Sequence, residues 1–275
     1  MDASELFSPI VLVKEYTLSK IADAIREKNG TEDKYLPSEM ATAIANIEGK
    51  DEAKEAEFIK CIERQSGYSL NIPEGVAQIG LNCFYNDTNI KSIVFPESVK
   101  SIKDGAFWGC TSLATISLNS VEEIGENSFR DCTSLTNLIL NKCRQVSGTY
   151  AFRGCSKLAS LDAPEMVYIN SYAFHSCSAL TTVNLPNITE LGSNIFESCT
   201  SLKTIYIPSC CETIWGSGSG ASLFRGCSKE LRIYCGATKK PANWGVMWNY
   251  NASTGGEYTT IWGVTPEQYE AIVNG

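Results

Sequence analysis

The stretch Phe129-Arg-Asp-Cys132-Thr-Ser-Leu135-Thr-Asn-Leu138-Ile-Leu140 decides the fold, because its pattern recurs along most of the chain. A Phe followed three residues later by Cys returns at steps of 22 or 23 residues, with a last step of 28. These pairs begin at Phe107, Phe129, Phe152, Phe174, Phe196 and Phe224. Phe84 opens an earlier copy in which Asp87 takes the place of Cys. A fixed period of this length is typical of proteins built from stacked repeats.

Each repeat contains two extended runs and one turn. The pattern L-x-x-L-x-L after the Phe-x-x-Cys segment alternates with the period of a strand whose Leu or Ile side chains point inward. A second run, such as Val121-Glu-Glu-Ile124-Gly125, predicts another extended stretch that ends at a Gly, which tolerates positive φ. The Ala-Phe-x-x-Cys segment predicts one helical turn that places the Phe in the interior.

A single repeat is too small to fold alone. Ordering about 22 residues costs on the order of 20–40 kcal/mol of conformational entropy. The inward side chains of one repeat return at most about 10–20 kcal/mol on burial. Stacked repeats, whose strands pair at about 4.8 Å, close this gap. We therefore expect residues 66–236 to form one cooperative domain of about seven coils.

These units resemble the BspA-like leucine-rich repeats, a family seen in bacterial surface proteins and in some phage and protist proteins. The resemblance rests on units such as 129–138 and Leu180-Thr-Thr-Val183-Asn-Leu185-Pro186, and it covers about residues 66–236. It implies an α/β leucine-rich-repeat fold, which is a curved, right-handed, strand-rich solenoid with short helical turns. It also implies adhesion or recognition of a partner without enzymatic activity.

The segments before the repeats predict a helical preface. Residues 1–50 are expected to hold an extension and a small helical hairpin, in which Thr17 caps one helix and Pro37-Ser38 opens the next. This hairpin resembles short N-terminal modules of gut-bacterial and phage proteins, including tail-associated ones. Residues 51–65 are expected to form a linker and an N-terminal cap.

The segment after the repeats, residues 237–275, predicts an aromatic C-terminal cap and a tail. Trp244, Trp248 and Trp262 suit this role, because large rings cover the open apolar end of a solenoid. The segment resembles the C-terminal cap of the same repeat family. Pro266 to Val273 predicts a last short helix.

Charge and hydropathy limit the classes of partner. A net charge of −8 argues against sequence-independent nucleic-acid binding, which needs clustered Lys and Arg. No stretch approaches the roughly 18 apolar residues that span a bilayer, so membrane insertion is not expected. The acidic start, Met1-Asp2-Ala3-Ser4-Glu5, does not predict a signal peptide. We expect synthesis in the cytoplasm and leave virion and cell-surface association open.

The chemistry-bearing residues predict no catalytic, cofactor or metal site. His175, the single histidine, lies on a turn, and neither C-x-x-C nor H-x-x-x-H occurs. The Cys at one position of successive coils is expected to form a ladder of free, buried side chains, with disulfides between neighbours as the alternative. In the adjacent pair Cys210-Cys211, Cys210 is expected to point inward, with a redox pair as the alternative.

Strand alternation predicts which side chains face outward as a binding surface. These candidate binding residues are Asn137, Ile139, Asp162, Asn184, Tyr206, Arg232 and Tyr234. Exposed Tyr beside Arg is common at interaction hot spots. The leading hypothesis is a non-enzymatic recognition or adhesion protein for a protein or glycan partner. The alternatives are solvated residues without a ligand, a structural or host-recognition component of a phage particle, and, third, an enzyme that uses the C-terminal region.

Overall fold

The computed structural model describes residues 67–72, 75–216, 222–252 and 254–274. The hairpin expected within residues 1–50 and the linker expected in 51–65 lie outside these residues. The described residues form a strand-rich solenoid of stacked coils with little helix, as the repeat pattern predicts.

One side of the solenoid, here called the long-strand face, carries the L-x-L segment of each coil. Its strands are β1 (Tyr68–Asn71), β3 (Ile90–Val94), β5 (Thr115–Ser117), β7 (Asn137–Ile139), β9 (Ser160–Asp162), β11 (Thr182–Asn184), β13 (Thr204–Ile207), β15 (Arg232–Cys235) and β18 (Thr259–Trp262). They are parallel and form the hydrogen-bonded groups β1-β3-β5, β7-β9-β11 and β13-β15-β18. Because β5 contacts β7 and β11 contacts β13, the three groups form one continuous face.

A second side, the short-strand face, carries the Val-x-x-Ile run of each coil. Its strands are β2 (Gln78–Ile79), β4 (Ser101–Ile102), β6 (Glu123–Ile124), β8 (Gln145–Val146), β10 (Tyr168–Ile169), β12 (Glu190–Leu191) and β14 (Thr213–Ile214). All seven pair in parallel in one sheet. In each strand the second residue is an apolar side chain buried in the core. The prediction of a second extended run is confirmed.

The recurrent Phe side chains form a ladder through the core, and each ring is fully buried. Successive rings from Phe84 to Phe174 are stacked with centroids 5.1 Å apart. The spacing widens to 6.0 Å at Phe196 and 5.9 Å at Phe224. Each stacked pair adds about 0.5–1.5 kcal/mol beyond the burial of its area. The ladder therefore links every coil to its neighbours, which is needed because a single repeat buries too little apolar area to fold alone.

The Phe-x-x-Cys segment is built from linked β-turns, so the prediction of a helical turn is wrong. In one coil the Trp108 N–H donates to the Gly105 carbonyl at 3.0 Å, and the Cys110 N–H donates to Phe107 at 3.1 Å. Gly105 and Gly109 have positive φ values of 62° and 76°. Residues in the left-handed region flank the Phe in this way in most coils, and they stop a right-handed helix from propagating.

The Cys ladder confirms the prediction of free, buried thiols. No disulfide joins the cysteines of the described residues, and those of the Phe-x-x-Cys segments are buried. Each thiol donates to the carbonyl of the Phe in the preceding coil, for example Cys110 to Phe84 at 3.0 Å and Cys155 to Phe129 at 3.2 Å. The same carbonyl also accepts the backbone N–H three residues further along its own coil.

The prediction that Cys210 points inward is wrong. Cys210 is exposed and Cys211 is buried. The Cys211 N–H donates to the Pro208 carbonyl at 3.1 Å, and the Met166 N–H makes the same bond to Ala163 at 3.2 Å two coils earlier. The turn begins at Pro208, and its geometry points the third following residue, Cys211, into the core. The second, Cys210, points outward.

The C-terminal cap pairs with the last regular coil on each of its sides, but without the repeat sequence. β18 pairs with β15, Trp244 bridges Ile214, and the Leu223 N–H donates to the Trp248 carbonyl at 2.9 Å. The rings of Trp244 and Trp248 lie 4.7 Å apart, and each contacts the ring of Trp262. The aromatic cap is present as predicted.

Tyr258 closes the Phe ladder. Its ring meets Phe224 edge-on at 6.3 Å. Its hydroxyl donates to the Phe224 carbonyl at 3.0 Å, which is the bond that a Cys thiol makes in a regular coil. The cap thus satisfies the last Phe carbonyl although no further repeat follows it in the described chain.

The chain ends in a hairpin and a helix that lie beyond the regular coils. β16 (Tyr250–Asn251) and β17 (Gly256–Glu257) are antiparallel, and α1 spans Pro266–Asn274, which confirms the predicted helix. Thr265 and Gln268 cap α1 reciprocally, because each side chain accepts the backbone N–H of the other residue, at 3.3 and 2.9 Å. Pro266 then suits the first helical position, where no N–H partner is needed.

Candidate binding surface

The middle of the long-strand face presents four of the predicted residues together, three of them exposed and Asp162 half-buried. We call Asn137, Ile139, Asp162 and Asn184 the central patch. Ile139 lies opposite Asp162, and Asp162 lies opposite Asn184, on the adjacent strands β7, β9 and β11. The Ile139 side chain is 48% exposed, and Val94 at the end of β3 is a second exposed aliphatic side chain on the same face, at 57%.

Hydrogen bonds between coils hold the polar members of the central patch in place. The Asn184 side-chain amide donates to an Asp162 carboxylate oxygen at 2.7 Å. The Ser160 hydroxyl donates to the Asn137 side-chain carbonyl at 2.8 Å. Because these side chains are already ordered, a ligand would lose less rotamer entropy on binding to them. The patch offers an apolar contact flanked by oriented amide and carboxylate groups.

The C-terminal end of the face differs from its prediction, because α1 covers it. Tyr234 is only 5% exposed and Tyr206 is half-buried. The Tyr269 ring of α1 lies 5.3 Å from the Tyr206 ring and 5.4 Å from the Tyr234 ring. Both strand tyrosines do point away from the core, as alternation requires. The prediction that they form an exposed aromatic patch is wrong, because α1, which follows them in the sequence, packs over both rings.

Two hydrogen bonds fix this cover. The Tyr206 hydroxyl donates to the Val264 carbonyl at 3.1 Å, and the Tyr269 hydroxyl donates to the Thr204 hydroxyl at 3.4 Å. Burial raises the pKa of Tyr206 and of Tyr269. Both phenols therefore keep their protons at neutral pH and remain able to donate.

Arg232, the remaining predicted residue, is exposed in a separate groove. This groove has a volume of about 430 Å³ and is lined by Lys203, Thr204, Lys229, Glu230, Leu231, Arg232 and Thr259. Arg232 lies on β15, and β13 separates this strand from β11 and the central patch. The structure thus brings together four of the seven candidates and separates the other three.

The surroundings of His175 do not form a catalytic triad. Its Nδ1 lies 2.9 Å from the Ser176 hydroxyl, and its Nε2 lies 3.9 Å from a Glu197 carboxylate oxygen. The second distance is too long for the hydrogen bond that orients a catalytic imidazole. Burial lowers the pKa of His175, although the nearby Glu197 opposes that shift. Glu197 is instead held by Asn194 and Arg225.

The described ranges contain neither a candidate metal site nor a candidate membrane span. No group of three His, Cys, Asp or Glu side chains there is placed to hold a metal ion. No helix in the same ranges has the length and apolar character needed to cross a membrane.

The residue that strand alternation failed to identify is Tyr269. Its sequence context, Thr265-Pro266-Glu267-Gln268-Tyr269, signals a capped helix but not the surface on which that helix packs. The contact joins residues 63 positions apart, from Tyr206 to Tyr269. A local pattern cannot encode such a pairing.

The sequence profile of the BspA type leucine rich repeat region matches residues 58–167 and 147–236, with six copies. The chain belongs to this family. The matched ranges include every strand of the long-strand face except β18. No curated protein matches the sequence.

The fold is similar to that of one solved leucine-rich repeat structure, and two other solved proteins show a weaker similarity. A leucine-rich repeat protein from Bacteroides ovatus is 23% identical with a TM-score of 0.53, over 67% of this chain and 49% of that chain. The chain thus spans about half the length of that neighbour. A leucine-rich repeat protein from Eubacterium ventriosum is 24% identical with a TM-score of 0.44, over 65% of this chain and 45% of that one. A leucine rich cell surface protein from Faecalibacterium prausnitzii is 22% identical with a TM-score of 0.36, over 74% of this chain and 62% of that one.

Proposed function

We propose that the chain is a non-enzymatic recognition or adhesion protein, and that it binds a protein or carbohydrate partner through the central patch. The observation that carries this proposal is the open, pre-ordered surface of β7, β9 and β11, which contrasts with the covered strands β13 and β15. Membership of a family of repeat-based binding scaffolds supports the same role.

The central patch has the composition of a binding site and not of a structural contact. Its side chains lie outside the core, so burial of apolar area does not explain Ile139. An exposed aliphatic side chain flanked by oriented polar groups suits a protein surface or the mixed apolar and hydroxyl surface of a sugar. The stacked coils below provide the rigid support that a precise site needs.

A binding screen with paired variants tests this function. The parent protein is applied to arrays of glycans and of extracellular proteins, and captured ligands are measured again with the double variant Ile139→Ala, Asn184→Ala. We expect binding to weaken about tenfold or more, because truncation of central interface residues carries most of the loss. A matched control, Val246→Ala with Asn187→Ala, removes an exposed aliphatic and an exposed amide side chain elsewhere on the surface.

Retained binding in the control and weakened binding in the central-patch variant would support the proposal. Equal binding by both variants, or no captured ligand for the parent, would contradict it. The phage-particle alternative depends on the N-terminal hairpin, which lies outside the described residues, and it stays a prediction.

A further inference from the structure

A second surface follows the turns of the Phe ladder and is separate from the central patch. The residue directly after each ladder Phe points outward, and together these residues form a row that we call the turn edge. Its members are Tyr85, Trp108, Arg130, Arg153, His175, Glu197 and Arg225, with Tyr150 and Tyr172 beside them. The first half of the row consists of aromatic and arginine side chains alone.

These side chains are stacked against one another along the solenoid. The Arg130 guanidinium lies 4.5 Å from the Trp108 ring centroid and 6.0 Å from the Tyr150 centroid. The Arg153 guanidinium lies 5.4 Å from the centroid of the same Tyr150 ring. Cation–π contacts of this length hold the planar guanidinium groups in fixed orientations.

The arginines of the turn edge retain unused hydrogen-bonding capacity. Arg130 donates to the Asn127 side-chain carbonyl at 3.2 Å, and its Nε lies 3.4 Å from an Asp131 carboxylate oxygen. No carboxylate of the described residues lies within 4 Å of Arg153, although the whole chain carries a net charge of −8. Arg153 is therefore the stronger candidate to meet a carboxylate from outside.

The geometry favours an acidic protein segment over a sugar. Sugar rings are recognised by stacking on free aromatic faces. Here Arg130 already covers one face of Trp108, and the Tyr150 ring contacts both Arg153 and the Tyr172 ring, which lies 5.0 Å away. The group left for an outside ligand is the Arg153 guanidinium, whose fork geometry matches a carboxylate, beside the partly exposed Arg130 side chain. Trp, Tyr and Arg together are also the residues most enriched at protein hot spots.

We propose that the turn edge of Trp108, Arg130, Tyr150 and Arg153 binds a segment of a partner protein rich in Asp or Glu. Arg153 donates to a carboxylate of the partner segment. Arg130 attracts the next acidic residue of that segment, and the aromatic rings pack against its aliphatic parts. This interaction uses a different side of the coil from the central patch, so either proposal can fail without the other.

The test uses the full chain and a fluorescent decaglutamate peptide as the probe, with decaglutamine as the uncharged comparison. At low ionic strength we expect decaglutamate to bind more tightly than decaglutamine, and Arg153→Gln to weaken its binding about fivefold. Arg153→Lys should restore part of that loss, because it returns the charge without the fork. Lys142→Gln, which removes the same charge from an exposed loop, should leave binding unchanged.

Thermal unfolding of each variant checks the fold, and Arg153→Gln is expected to stay folded because Arg153 makes a ring contact at the surface. Equal weakening by Arg153→Gln and Lys142→Gln would overturn the proposal, since it would reflect net charge alone. Failure of the parent to bind decaglutamate would overturn it as well. So would displacement of decaglutamate by soluble polygalacturonate at lower concentration than by unlabelled peptide, because the surface would then favour an acidic glycan.

Discussion

At the scale of single residues, the Phe and Cys of each repeat act as one unit across two coils. The Phe carbonyl is buried and accepts the thiol of the next coil, so a small side chain with a weak donor fits the position better than an aliphatic one. The first copy lacks a Cys, and there Asp87 accepts the Asn89 N–H within its own coil at 3.0 Å. The sequence alone predicted buried, free thiols but not the acceptor of their hydrogen bonds.

The burial of the thiols predicts a loss of stability in alkaline solution. Burial raises the pKa of Cys143, Cys211, Cys227 and Cys235 to about 12 from the ordinary 9.0. Above pH 9 the unfolded chain releases these protons while the folded chain retains them, so unfolding becomes progressively more favourable between pH 9 and 12. Melting temperature followed by circular dichroism should be insensitive to these groups below pH 9 and fall above it.

The variant Cys227→Ala provides the comparison for this prediction. It removes one such thiol, so its melting temperature should fall less steeply over the same alkaline interval. A parent protein whose melting temperature stays constant to pH 11 would show that the thiols are not shielded from solvent.

At the scale of elements, α1 determines how much of the long-strand face is open. Within α1 no residue is fully buried, and Tyr269 is the residue that joins it to β13 and β15. A helix held mainly by one ring has little apolar area to stabilise it, so its attachment is expected to be weaker than that of any coil.

We predict that Tyr269→Ala releases α1 and uncovers the two strand tyrosines. Tyr234 should then become open to nitration by tetranitromethane, as measured by peptide mass spectrometry, while the melting temperature changes little. Glu270→Ala removes an exposed neighbour on the same helix and should leave Tyr234 protected. Protection of Tyr234 in both variants would mean that contacts other than the Tyr269 ring hold the cover.

The elements also show how far a sequence of this kind can be interpreted. Strands, coil period and inward residues such as Leu138 and Phe152 followed from spacing, because each coil repeats the same local environment. The burial of Tyr234 did not follow, because a helix more than thirty residues later in the chain covers it. The inward position of Cys211 was missed for a local reason, since turn geometry and not simple alternation sets the register there.

At the scale of the whole molecule, the separation of inward from outward side chains on the long strands underlies both the fold and the proposed binding role. Alternate side chains of each long strand enter a continuous apolar interior, and the others are free to carry a surface. The stability of the solenoid should therefore depend on the inward set, and partner recognition on the outward set. Substitutions in the two sets are expected to have separable effects.

Neighbouring aliphatic residues of β7 allow this division to be measured directly. Leu138 is 1% exposed and Ile139 is 48% exposed, although they are adjacent and nearly equal in size. The free energy of unfolding of Leu138→Ala and Ile139→Ala is measured by guanidinium denaturation. We predict a loss of about 2–5 kcal/mol for Leu138→Ala and of less than about 1 kcal/mol for Ile139→Ala. Equal losses, or a larger loss for Ile139→Ala, would contradict the assignment of interior and surface on which the account depends.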